Sequence, residues 1–322
     1  MTDIGVNRLA LDLAARVREA VVPSLGDPSA RVGVAVAPGG DVTMAIDEIA
    51  EEVTEQCCVE AGDIAFYSED RGYVEIGTPR AILLVDPIDG TRPAAAGLES
   101  CCVSVAVLPA SQDATLGDVE FGVVQEIKNG HRYFATRGEG AHIELVDGSA
   151  PPILLSANTE LRALFFTAGV RGRPVVAMSV LLEDLIDDSS MHGGYFDLGS
   201  ATFDMTRIVT GQLDAYVDVG WRVIDEIPEL EPAFRRAGEG RICTNFPYDV
   251  AASSLIVAEA GGVVTAADGG SLAACPAVGS GDGYGLAVVA SASRPLHDQL
   301  LDAVARGMLR LRTHVEHARA VH

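Results

Sequence analysis

The sequence predicts an α/β fold of packed helical and sheet layers, and three observations carry that expectation. Short apolar runs of strand length alternate with helix-length segments through the second half of the chain. The first half opens on two helical stretches and continues into strand-like runs, two of them joined by a hairpin turn. The length of 322 residues exceeds the size at which one core stops growing, so two domains are expected.

Residues 6–22 read as a helix, because Val6, Leu9, Leu13, Val17 and Val21 recur about every four positions between Asp12, Arg16 and Arg18. That interleaving of charge excludes a signal peptide, which needs an unbroken apolar segment. A loop containing glycine and proline spans Gly33 to Gly40, and Ala45 to Cys58 reads as a second helix with acidic residues along one side. Strands are expected at 81–85, 102–108, 119–125 and 132–136, the last two bracketing the turn Lys128-Asn129-Gly130. Pro151-Pro152 marks a linker between an N-terminal domain, 1–152, and a C-terminal domain, 153–322. Beyond it, strands near 153–155, 163–168 and 175–178 alternate with helices near 180–187, 200–211, 250–260 and 295–310. There is no internal repeat and no low-complexity tract.

Charge and composition narrow the function classes. A formal net charge of −23 repels nucleic acid and anionic membranes, so neither is an expected partner. Hydrophobic residues make up 48% and the mean hydropathy is +0.24. No apolar run approaches the roughly 20 residues of a membrane span, and a soluble cytoplasmic enzyme is expected. The single lysine, Lys128, excludes a Walker A loop and argues against Schiff-base chemistry. Cys57, Cys58, Cys101, Cys102, Cys243 and Cys275 form neither a metal-binding C-x-x-C pair nor a disulfide framework, and read as small buried hydrophobes.

The most informative stretch is Asp86-Pro87-Ile88-Asp89-Gly90-Thr91, which follows the apolar run Ala81–Val85. Two carboxylates separated by a proline and an isoleucine, with a glycine behind them, offer hard oxygen ligands in a stiff turn. Mg²⁺ favours such a site, since it binds through few carboxylates together with water and substrate phosphate. An ordinary strand-ending turn uses the same residue types. Three further acidic segments accompany it in order: Gly40-Asp41-Val42-Thr43-Met44-Ala45-Ile46-Asp47, Phe66-Tyr67-Ser68-Glu69-Asp70, and Asp249-Val250-Ala251-Ala252 running on through Glu259-Ala260-Gly261-Gly262.

Together these four segments resemble the inositol monophosphatase family, within the superfamily that includes fructose-1,6-bisphosphatases, over roughly residues 5 to 305. The resemblance implies a five-layered αβαβα sandwich, a Mg²⁺-dependent and lithium-sensitive phosphomonoesterase, and a homodimer. Carried onto this chain, it assigns Glu69, Asp86 and the Ile88 carbonyl to a first metal and Asp86, Asp89 and Asp249 to a second, with Glu69 and water for a weaker third; Mn²⁺ can stand in for Mg²⁺. It gives Asp47 and Thr91 the task of orienting and deprotonating a water, the threonine hydroxyl bonding to the aspartate, and Gly90 and Thr91 N–H groups that of holding phosphate. Gly199-Ser200-Ala201 resembles the segment facing the sugar or inositol ring, and Asp218 stands where inositol enzymes carry a ring-gripping glutamate. Asp225 rivals Asp249 in an ungapped alignment; Asp249 requires about 24 inserted residues, 225–248, but carries the matching helix. Asp249 also reads as the N-cap of that helix. Arg92 replaces part of the family's Thr-Asn-Phe and reads either as a contact to a second phosphate or as an ordinary ion pair. The implied substrate is a small phosphorylated polyol or sugar, inositol-1-phosphate first, with fructose-1,6-bisphosphate, histidinol phosphate and 3′-phosphoadenosine nucleotides behind it. A non-catalytic binding protein that kept the fold is the alternative of another class.

Overall fold

In the computed structural model, which describes residues 4–36, 42–281 and 283–320, the chain enters through α1 (Ile4–Val21). Its buried stripe of Val6, Ala10, Leu13, Ala14, Val17 and Val21 keeps the three- and four-residue spacing read from the sequence. Gly33 does not open a loop: Gly33–Val36 is β1, paired antiparallel with β2 (Val42–Met44). Gly40 and Asp41 of the first acidic segment lie outside the described residues. α2 (Ala45–Ala61) follows, then β3 (Ile64–Ser68), β4 (Gly72–Ile76), β5 (Ala81–Asp89), the short α3 (Thr91–Ala96), β6 (Cys102–Pro109), β7 (Phe121–Glu126), β8 (Arg132–Thr136) and β9 (Gly140–Glu144). Strands β3 to β9 form one sheet in the order β4-β3-β5-β6-β7-β8-β9, antiparallel except for β3 beside β5.

Side-chain parity along β5 organises the layers. Leu83 and Val85 face α1 and α2 together with Ile64, Phe66, Val103 and Val123, while Ile82 and Leu84 face the opposite way. All nine residues of β5 are buried, as expected of a strand covered on both faces.

The second half supplies β10 (Phe165–Thr167), α4 (Val175–Ser189), β11 (Gly194–Phe196), α5 (Ala201–Val209), β12 (Ala215–Val217), α6 (Gly220–Glu226), α7 (Glu231–Ala237), α8 (Pro247–Glu259), β13 (Val263–Ala266), β14 (Val288–Ser291) and α9 (Arg294–Ala320). Its five strands pair in the order β11-β10-β12-β14-β13, parallel across β11-β10-β12 and antiparallel beyond. Two expected strands are absent. Residues 153–155 carry no regular structure, and 175–178 is the first turn of α4. Val175 and Val176 are β-branched and favour strands, but Met178, Leu181, Leu182 and Leu185 are buried at helical spacing, and packing overrides local propensity.

Helices α5 and α8 fill the space between the sheets. One apolar cluster joins Leu84, Ala106 and Val124 of the first sheet, Met205, Ile208, Val250 and Ile256 of the helices, and Tyr216, Val288 and Ala290 of the second sheet. Glycine permits the closest approach, since a Cβ on Gly122 of β7 would stand 2.9 Å from the Ala252 Cα of α8. A buried Arg207–Glu126 ion pair, bonded also to the Tyr133 hydroxyl, ties α5 to β7 and β8. On the far side, α4 and α9 cover the second sheet through Leu181, Leu185, Leu300 and Val304. The result is the five-layered αβαβα sandwich. All six cysteines are free thiols, four of them buried.

Candidate active site

The site grows out of an irregularity in β5. In a regular strand, residues three apart face opposite ways, so Asp86 and Asp89 would point to different layers. The pairing with β6 slips between them: Asp86 stands opposite Ser104 but Asp89 opposite Cys102, so one extra residue is absorbed. Such a bulge re-aims the chain, and both carboxylates face the middle layer. Proline and the Asx contact, in which Asp86 Oδ1 accepts from the Ile88 N–H at 3.0 Å, shape the bulge. The strand therefore runs through the acidic hexapeptide rather than stopping at Val85. Gly90 then takes φ +92°, and a Cβ there would lie 2.4 Å from the Ser100 carbonyl oxygen, so only glycine fits the exit from the strand.

The middle-layer helices aim their N-termini at these carboxylates. Ser200 caps α5 by accepting from the Phe203 N–H at 3.1 Å, and Asp89 Oδ2 accepts from the Thr202 N–H at 2.5 Å. Ser200 and Ala201 of the segment Gly199-Ser200-Ala201, expected to face a sugar ring, thus also hydrogen-bond Asp89. Asp249 is not the N-cap of α8. Phe246 occupies that position, and Asp249, in the first turn, accepts from the Phe246 N–H at 2.5 Å. Asp47 repeats the arrangement on α2, accepting from the Met44 N–H at 2.7 Å. Asp47 and Asp249 are each fixed by their own helix start and Asp89 by that of α5, and partial positive charge there favours an anion. Thr202 Oγ1 donates to the Asp249 carbonyl at 2.8 Å, locking α5 to α8.

Asp86, Asp89 and Asp249 each present an oxygen, and these atoms all lie within 4.8 Å of one another. Burial is the main force raising their pKa values. Repulsion from Glu69, Asp89, Asp249 and Asp47 adds to it at Asp86, and repulsion from Asp89 adds to it at Asp249. At Asp89, hydrogen bonds from Thr202 and Ser200 oppose the rise. Three carboxylates gathered together, Asp86 and Asp89 buried and Asp249 partly so, with oxygen donors only, are the donor set a hard divalent cation neutralises, so the residues fit such an ion.

Glu69 lines the same cavity, half-buried. Its loop is clamped to α2 by Glu51, whose carboxyl accepts from the Ser68 hydroxyl at 2.7 Å and the Asp70 N–H at 3.0 Å. Arg71 adds ion pairs to Glu48 and Glu55, and Thr43 donates to Asp70. Thr91 also lines the cavity; its hydroxyl donates to the Ile88 carbonyl at 3.2 Å.

The cavity measures about 500 Å³ and extends from this cluster to loops of the second half. Asp218 lies in it but is buried against Arg173, with 2.6 Å between Oδ2 and Nη2, while its Oδ1 accepts from the Gly220 N–H. Asp225 is exposed on α6 and is not among the lining residues. The stretch 225–248 forms α7 and then the loop from Gly238 to Phe246 that walls the cavity. Arg92, Arg171, Arg241, Asn245 and Asp204 also line it. Arg171, Asn245 and Asp204 went unnoticed in the sequence, although Asp204, a lone acid within the apolar run of α5, was a visible signal.

A five-layered sandwich that gathers acidic side chains at a bulged strand and two helix starts defines a metal-dependent phosphatase architecture. The chain belongs to the inositol monophosphatase family, whose model matches residues 6–308. It is 28% identical to a fructose-1,6-bisphosphatase/inositol-1-monophosphatase of Methanothermobacter thermautotrophicus, over 82% of this chain and 85% of that one. It is 26% identical to a bifunctional NADP phosphatase/NAD kinase of Methanococcus maripaludis, over 81% of this chain and 43% of that protein. Among solved structures, the Thermotoga maritima IMPase superposes with a TM-score of 0.66 at 21% identity, covering 94% of this chain and 98% of that one. The protein is a phosphoric monoester hydrolase of the inositol monophosphatase/fructose-1,6-bisphosphatase superfamily. No helix among the described residues is long and apolar enough to cross a membrane.

Proposed function

We propose that the protein hydrolyses a small phosphorylated polyol or sugar, inositol-1-phosphate-like, to the alcohol and inorganic phosphate. The observation that carries this is the convergence of Asp86, Asp89 and Asp249 within 4.8 Å on the wall of a cavity large enough for such an ester. Glu69, Asp86, the Ile88 carbonyl, Asp89 and Asp249 would hold two or three Mg²⁺ ions, for which Mn²⁺ can substitute. When bound, such ions supply charge neutralisation of the ester and a water of lowered pKa.

The chain's own residues do the positioning on which phosphoryl transfer largely depends. Asp47, fixed by its bond to the Met44 N–H, takes the proton of the attacking water, and Thr91 orients that water. The N–H groups of Gly90 and Thr91 hold phosphate oxygens. Ser200 and Ala201 keep Asp89 in place, and Gly199, Ser200 and Ala201 border the alcohol. Asp218, neutralised by Arg173, contributes to the floor rather than gripping hydroxyls with a free charge. The name of the Methanothermobacter relative, which covers two sugar-phosphate-type esters, supports a polyol or sugar substrate. We further propose lithium inhibition, a homodimer, a cytoplasmic location and division into domains 1–152 and 153–322.

Phosphate release from p-nitrophenyl phosphate and from a panel of inositol, sugar, amino-alcohol and nucleotide monoesters, with and without Mg²⁺, tests the proposal. Mg²⁺-dependent turnover that is highest on a polyol or sugar ester is expected. A folded protein with no turnover on any ester would favour the non-catalytic binding protein.

A further inference from the structure

One buried hydroxyl beside the acidic cluster has no partner in the fold. Tyr248, the second residue of α8 and the neighbour of Asp249, is 2% exposed. Its ring is held by two others: it stacks on Tyr67 of β3, with centroids 6.2 Å apart and planes inclined by 17°, and it meets Phe246 at 5.6 Å. Its carbonyl accepts from the Ser104 hydroxyl of β6 at 3.4 Å. The phenol oxygen makes no hydrogen bond among the described residues, and it is not among the orphaned oxygens sealed from solvent, so it opens on the cavity that Tyr248 lines. Tyr67 behaves differently, its hydroxyl donating to Ser280 Oγ at 2.7 Å.

A phenylalanine would fill the same slot, meet the same rings and leave no polar atom to desolvate. Buried polar side chains are nearly always hydrogen-bonded, so an unpartnered hydroxyl facing a cavity points to a partner that arrives with the ligands of that cavity. Burial raises the pKa of this hydroxyl, and the carboxylates of Glu69, Asp249 and Asp86 add to the rise in that order, so all three lie close to it. An ordinary phenol carries its proton near neutral pH and meets a carboxylate as a donor. Asp249 is already held by the Phe246 N–H and Asp86 by the Ile88 N–H. Glu69 is half-buried on a loop and, of the three, acts most strongly on the hydroxyl. We infer, resting on the assignment of Glu69 as a metal ligand above, that Tyr248 is a positioning residue: when Glu69 turns onto a bound divalent cation, the Tyr248 hydroxyl donates a hydrogen bond to its carboxylate and fixes its rotamer. Tyr67 stands two residues before Glu69, so the ring stack keeps the donor beside the loop that carries the acceptor. A glutamate gives up rotamer freedom on ligation, and a preset donor lessens that loss.

Calorimetric titration of the full chain with Mn²⁺, without any ester, tests this. Tyr248→Phe should bind Mn²⁺ more weakly by about tenfold or more, as follows the loss of a group that orients a metal ligand. Its metal-free melting temperature should stay level or rise, because no hydrogen bond is lost with the hydroxyl. Tyr67→Phe, which removes the hydroxyl of the stacked ring, should keep the affinity of the unaltered protein. In Glu69→Ala, whose affinity is already reduced, adding Tyr248→Phe should cost nothing further. Unchanged Mn²⁺ affinity in Tyr248→Phe overturns the inference, as does a loss of the same size with and without Glu69→Ala. Weaker binding accompanied by a fall in the metal-free melting temperature assigns the hydroxyl to the fold and overturns it too. If the unaltered protein binds no Mn²⁺, the metal-ligand assignment itself fails and the role of Tyr248 falls with it; binding that Tyr248→Phe leaves untouched refutes the role of Tyr248 alone.

Discussion

Glu51→Gln perturbs the group that holds the Glu69 loop, and its effect can be worked out in advance. Glu51 is fully buried on α2, with one hydrogen-bond partner on each side of Glu69. Burial, opposed by the bonds from Ser68 and Asp70, raises its pKa from the ordinary 4.5 to about 7. The folded protein therefore holds this proton more tightly than the unfolded chain. Its contribution to stability is complete below pH 4.5 and is lost as pH rises through 7. At about 1.4 kcal/mol per tenfold change in proton affinity, the loss amounts to about 3 kcal/mol by pH 8. Glutamine can accept from the Asp70 N–H and donate to the Ser68 hydroxyl, but it cannot ionise. Urea denaturation of both proteins without metal, at pH 5 and pH 8, should show the variant gaining about 2–3 kcal/mol on the parent over that interval. Because only the change between the two pH values is compared, any constant difference in hydrogen bonding cancels. Stabilities that run parallel with pH would refute burial as the source of the raised proton affinity.

Asp89→Asn should reduce Mg²⁺-dependent phosphate release by more than the roughly hundredfold that follows loss of a group merely supporting a metal ligand. The same substitution removes one of three clustered like charges, so metal-free thermal unfolding should be unchanged or slightly raised; full turnover would contradict the metal assignment. Gly90→Ala should destabilise by about 2 kcal/mol or more, since φ is +92° and the new Cβ would meet the Ser100 carbonyl; a neutral effect in denaturation would show that the turn relaxes freely. His297 is buried between the hydroxyls of Thr265 and Ser291, 2.9 Å from each, and burial lowers its pKa from 6.5 to about 4. The unfolded chain then takes up the proton first, so stability present above pH 6.5 is lost as pH falls, by about 3 kcal/mol at pH 4. In His297→Gln, melting temperatures compared at pH 7 and pH 4.5 should show a smaller acid loss than in the parent.

The parts legible in the sequence were those with local, periodic signals. α1 and α2 announced themselves by stripes four residues apart, and β5 to β8 by sustained apolar runs with a recognisable turn at Lys128-Asn129-Gly130. The acidic segments could be listed, but their convergence could not be derived from spacing. It depends on the β5 bulge and on two helix starts brought in from more than a hundred residues away. Strands β10 to β14 are three or four residues long, too short for alternation to register, and α4 begins with residues that favour strands. The pairing of Asp218 with Arg173 spans 45 positions and leaves no sequence trace, so the sequence could not show that this carboxylate sits in a buried ion pair. Asp225 and Asp249 were separable only by geometry: one is exposed on α6, the other stands beside Asp86 and Asp89.

Anomalous diffraction from crystals grown with Mn²⁺ tests the central claim most directly. Ion peaks should appear between the carboxylates of Asp86, Asp89 and Asp249, reaching toward Glu69 and the Ile88 carbonyl. A fully occupied structure with no peak among those side chains, or with its ion bound at Asp225, would contradict it.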